Sequence, residues 1–171
     1  MDFLTPIEIE AIRLSLKISF WAMLWSLPLA LGTAWVLARY NFPGKFLFDG
    51  IIHLPLVLPP VVIGYVLLVL MGRQGVIGGF LYETFGVSLA FSWRGAAVAA
   101  GIMAFPLIVR AMRLSLEAVD QRLEAAARTL GAKPISVFLT ITLPLTMPGI
   151  IAGAILGFAR CLGEFGATIT F

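Results

Sequence analysis

Leu123-Glu-Ala-Ala-Ala-Arg-Thr-Leu-Gly131, followed after nine residues by Ile141-Thr-Leu-Pro144, lies between long apolar runs and decides how the rest of the chain is read. It belongs to a charged island, Arg110 to Lys133, that also holds Arg113, Glu117, Asp120 and Arg122. Leu116, Val119, Leu123, Ala127 and Leu130 recur there at three- and four-residue spacing, which predicts one amphipathic helix over about 116–131. Gly131 and Pro134 supply its stop, and Glu124–Arg128 is the favourable i,i+4 order for a surface ion pair. The predicted helix is too charged to enter lipid and too short to form a domain. Two readings remain open: a solvated connector on the membrane surface, or an element on which a soluble partner pushes.

Outward from the island the chain is apolar. Of its 171 residues 60% are hydrophobic and 12% charged, and the mean hydropathy is +1.01, outside the range of soluble domains. A run of roughly 20 apolar residues crosses the ~30 Å hydrocarbon core. Four segments qualify, at about 14–38, 49–71, 94–112 and 145–170. Because helices satisfy their own backbone groups in lipid, the expected fold is all-α: a polytopic helical membrane protein with one transmembrane domain over 1–171. Thr5-Pro6-Ile7-Glu8 reads as a capping box, which predicts a helix from Pro6 to about Arg39. Asp2, Glu8 and Glu10 have the wrong sign for a cleavable signal. The sequence stops at Thr168-Ile-Thr-Phe171 with no polar anchor, so a fragment lacking its last span or spans is expected.

Loop charges orient the spans. Arg39, Lys45, Arg110, Arg113, Arg122, Arg128 and Lys133 oppose Arg13, Lys17, Arg73 and Arg94, and seven against four puts the island in the cytoplasm and the N-terminus outside. Pro28, Pro55, Pro59, Pro60 and Pro106 fall in or beside the spans and predict kinks. Gly149, Gly153 and Gly157 form a stripe on which another helix can pack closely. The loop Gly72 to Trp93 carries glycines and aromatics, read as an interfacial belt or an external docking surface.

Other chemistries are poorly supported. The net charge of +3 is scattered along loop edges, which argues against nucleic-acid binding. Cys161 stands alone, so no intrachain disulfide forms, and His53 has no second ligand for a metal. Gly44-Lys45 lacks the surrounding residues of a phosphate-binding loop. No paired carboxylates or nucleophile set lies in the spans, so an enzyme is not expected.

The island's pattern resembles the cytoplasmic signature of ABC-importer permeases, the EAA motif: Glu-Ala-Ala, three residues, Gly, nine residues, Ile-x-Leu-Pro. Aligned on Gly131, the Ala pair is Ala126-Ala127, and Ala125 fills the Glu slot with Glu124 one place early. Leu54-Pro-Leu-Val-Leu-Pro-Pro-Val-Val-Ile-Gly-Tyr65 and Ala159-Arg-Cys-Leu-Gly-Glu-Phe-Gly-Ala-Thr-Ile-Thr-Phe171 look like the permeases of molybdate importers. Sulfate and tungstate permeases share close versions of the second segment and stand as alternatives; a passive channel or anchor subunit leaves the Gly131-to-Pro144 pattern unexplained.

The resemblance implies a type I, MetI-like helical bundle in a prokaryotic inner membrane, working by alternating access. It implies a permease homodimer in lipid, cytoplasmic ATPase subunits that bind ATP and Mg, no cofactor in this chain, and an external oxyanion-binding protein. It also implies coupling to the ATPase through Leu123, Glu124, Ala126, Ala127, Arg128, Gly131, Ile141, Leu143 and Pro144. Arg160 and Glu164, flanked by Gly163 and Gly166, are ionisable residues inside the last span. They read either as a mutually neutralised structural pair or as part of the pathway and its gate.

Overall fold

The computed structural model describes residues 5–72, 75–86 and 91–169, without the side chains of Leu81, Phe85 and 164–169. Helix α1 runs Pro6–Arg39 from the capping box read in the sequence: the Thr5 amide donates to Glu8 Oε2 at 2.6 Å and the Glu8 amide to Thr5 Oγ1 at 3.4 Å. Pro6 at the first helical position loses no hydrogen bond there. Gly44, at φ +90°, turns the chain into α2, Lys45–Val57.

The expected second span, 49–71, is interrupted. Pro59 holds Leu58 extended and Pro60 offers no N–H, so α2 ends at Val57 and α3 covers Pro60–Met71. The second segment long and apolar enough to cross is Pro60–Phe80, beside Pro6–Arg39, Trp93–Ala118 and Pro134–Gly163. The glycine-rich loop after α3 also contains a helix, α4, Val76–Phe85, closed by Gly86 at φ +64°.

Helix α5, Trp93–Ala118, extends six residues beyond the expected third span. It is the central element, packed between α1 and α8, Leu143–Ile169. Ala22, Ala30, Ala34, Ala100 and Ala104 are fully or almost fully buried, and these small side chains let the helices approach. The glycine stripe serves the same contact. A Cβ at Gly149 would collide with Ser115, and one at Gly157 would sit 2.6 Å from Ile108 Cγ1. Cys161 closes the same face, fully buried, with its thiol 3.7 Å from the Ala100 carbonyl.

Among the described residues, members of the two groups of basic residues lie at opposite ends of this three-helix core. At one end Arg113 Nη1 meets Asp49 Oδ1 at 3.1 Å and Arg39 reaches the island; at the other Lys17 Nζ lies 4.1 Å from the centroid of Trp93.

Candidate functional site

The helix expected over 116–131 is two pieces. Leu116 and Val119 are buried at the end of α5 and its cap, where they seal the core. The chain then turns extended, and the Asp120 carboxylate caps a new helix, α6, Gln121–Thr129, by accepting from the Arg122 amide at 2.9 Å. The spacing of Leu116 and Val119 to Leu123 continued the stripe across this corner, which concealed the break.

Helix α6 ends as its glycine predicts. Gly131, at φ +85°, donates to the Arg128 carbonyl at 3.0 Å and Ala132 to the Ala127 carbonyl at 3.1 Å. That pair of bonds is a Schellman closure, which needs a left-handed residue at this position. Pro134 then opens a short helix, α7, Pro134–Val137, continued by a π-helical turn, Phe138–Thr142, into α8. The helical rod thus begins at Pro134 rather than near 145, and Ile141-Thr-Leu-Pro144 lies inside it. Pro144 would clash with the carbonyl of Thr140 in a regular α-helix, and the wider turn before it accommodates the ring.

The faces of α6 divide sharply. Leu123 and Leu130 are 50% and 88% exposed, with Ala126 exposed between them. Gln121, Glu124, Ala125 and Arg128 line the other side, around a cavity of about 660 Å³ closed by α1, α7 and the π-turn. Ala127, Ile141 and Leu143 are half-buried and Pro144 is exposed.

Glu124 does not pair with Arg128. Its Oε1 accepts from Arg39 Nη2 at 2.6 Å and from Thr142 Oγ1 at 2.8 Å, with the Arg39 and Glu124 side chains 9% and 13% exposed. A well-shielded guanidinium outcompetes the solvated Arg128 for the carboxylate. One carboxylate therefore ties α6 to the last turn of α1 and to the π-turn at the head of α8. Arg39 and Thr142 were missed as site residues because they lie 85 and 18 positions from Glu124, beyond any local spacing rule. The available signal was a polar residue at each end of an apolar run, facing the only acidic residue on α6.

Arg160 is exposed on α8 rather than in the interior of this three-helix core, and Gly163 borders open space. The surroundings of Glu164 and Gly166, and with them any Arg160–Glu164 pair, lie outside the described residues. Among the described residues no group of acidic, His or Cys side chains could hold a metal.

Residues 26–171 match the family described as binding-protein-dependent transport system inner membrane component. The chain is 65% identical over 164 residues to the molybdenum transport system permease protein ModB of Haemophilus influenzae, covering 96% of this chain and 72% of that protein. The corresponding Escherichia coli K12 protein is 64% identical over 168 residues, 98% of this chain and 73% of that protein. The sulfate transport system permease protein CysT of Salmonella typhimurium is more distant, at 38% over 164 residues, 96% of this chain and 59% of that protein.

Proposed function

Because the chain belongs to the family of binding-protein-dependent transport system inner membrane components, we propose that it forms the translocation pathway of an ATP-driven molybdate importer. It is the pore-forming subunit and not itself the ATPase. Molybdate is favoured over sulfate by 64–65% identity to molybdenum permeases against 38% to a sulfate permease. The protein sits in the cytoplasmic membrane as a multi-pass subunit, with the island inside, a placement the excess of basic residues at that end supports.

Two copies form one pathway, and each offers the exposed Leu123–Ala126–Leu130 face of α6 to a groove on a cytoplasmic ATPase subunit that holds ATP and Mg. The ATPases draw the two α6 helices together on binding nucleotide, and an external binding protein delivers the oxyanion. The observation that carries this reading is the division of α6: an apolar face exposed among the described residues, and an opposite face locked to α1 and the π-turn at the head of α8 through Glu124. A surface helix can transmit force only if both sides are held. Arg160, exposed on α8, stands as a candidate residue of that pathway.

The test is co-purification with the ATPase and ATP-dependent molybdate uptake into vesicles. Leu123→Asp with Leu130→Asp places charge on the exposed face, so permease yield stays near wild type while ATPase recovery and uptake fall at least tenfold. Undiminished recovery of the ATPase would overturn the docking face. Uptake of sulfate but not molybdate would overturn the cargo.

A further inference from the structure

Arg39 is more than nine-tenths buried, yet only one of its nitrogens is matched. Nη2 serves Glu124, whereas Nε and Nη1 find no hydrogen-bond partner among the described residues. An unpaired buried guanidinium edge is costly, so a group entering the adjoining cavity is expected to answer it. It lines the 660 Å³ cavity together with Trp35, Tyr40, Gln121, Arg128 and Thr142. With Glu124 the sole carboxylate among its lining residues, the cavity carries one net positive charge.

The cavity adjoins a second one. Trp35, Pro134 and Phe138 also line a second, apolar groove of about 420 Å³, formed with Pro28, Leu31, Gly32, Ile135 and Leu139. From Trp35 to Pro28 the groove climbs seven residues of α1, roughly 10 Å toward the membrane centre. A cationic polar chamber at the end of a span thus shares Trp35, Pro134 and Phe138 with an apolar groove running up the same helix.

We propose that these adjoining pockets together bind an anionic phospholipid, with the phosphodiester against Arg39 Nε and Nη1 and one acyl chain along α1 beside Gly32. Charge selects the headgroup, since basic pockets at the cytoplasmic ends of spans attract anionic lipid. The apolar groove selects a lipid over a free anion or a carboxylate of a partner protein. The lipid would brace the same arginine that holds Glu124, so the membrane's composition acts directly on α6.

The full permease, reconstituted in vesicles of mixed phosphatidylglycerol and phosphatidylcholine and then solubilised, is assayed for the lipid it retains. The expected result is about fivefold enrichment of phosphatidylglycerol. Enrichment is lost in Arg39→Gln and in Gly32→Phe, where the added ring has open space and fills the groove without touching the clamp. It persists in Glu124→Gln, which removes the neighbouring negative charge but keeps the chamber. No enrichment in the wild type, enrichment untouched by Gly32→Phe, or loss of enrichment on adding millimolar phosphate each overturns the proposal. The last of these would assign the chamber to a free oxyanion, and displacement by the ATPase subunit without any lipid preference would assign it to a protein carboxylate.

Discussion

Replacing Glu124 by Gln probes the clamp most directly. Glutamine preserves the shape and can still accept hydrogen bonds, but leaves the Arg39 guanidinium shielded without its counter-charge. Removing one member of a buried pair typically costs 3–5 kcal/mol. Because both side chains are less than 15% exposed, little is lost to solvent screening, and about 3 kcal/mol is expected for this mild substitution. Arg39→Gln strands the carboxylate with Thr142 alone and costs a similar amount. The double variant removes both charges together, so its cost falls short of the sum by about 2 kcal/mol, within the range for residues sharing one network. Denaturant unfolding of the purified permease in detergent gives the four free energies of the cycle. Transport per ATP hydrolysed should fall in both single variants, because α6 then moves without drawing α1 and α8. Additive stabilities with normal coupling would refute the clamp and leave α6 held by its flanking turns alone.

Gly131→Ala costs about 1–2 kcal/mol through backbone strain alone, since φ is +85° and a methyl there meets open space; Gly131→Asn should cost less by the same unfolding measurement. Gly149→Ala costs about 1–3 kcal/mol from overpacking against Ser115, and Ser115→Gly in the same chain should recover most of it. Thr142→Val removes a hydroxyl donor from a charged acceptor and lowers stability by about 1.5–3 kcal/mol, with coupling impaired in the same direction as Glu124→Gln.

What was legible in the sequence was local. The Thr5–Glu8 box and the Gly131 stop act within a turn of their own position, the Gly149–Gly157 stripe is set by the spacing of one helix, and each appears where the spacing put it. Corners between helices were less visible. Val119 and Asp120 break a periodicity that continues unchanged in the letters, because a buried residue ending one helix and an exposed one on the next can share a spacing. The Pro59–Pro60 pair predicts a kink and makes a full interruption, since each proline bars the residue before it from the helical region. The partner of Glu124 was invisible for a different reason. A long-range ion pair depends on how α1 and α6 meet, and the nearer Arg128 satisfied every local rule.

The π-turn gives the nine-residue gap between Gly131 and Ile141 a physical meaning. Val137, Thr142 and Thr146 are all at most 2% exposed, at intervals of five and then four. In an unbroken α-helix five residues overshoot a full turn by about 140°, which would point Val137 and Thr142 in different directions. The wide turn absorbs that excess, so the gap works as a phase count that brings the Thr142 hydroxyl round to Glu124. Deleting Leu139 would convert the turn to regular helix and rotate α7 by about 100° relative to α8. Every other side chain would survive, yet the island would address the bundle with the wrong face. Length between these two landmarks is therefore as much a part of the site as the residues that bound it.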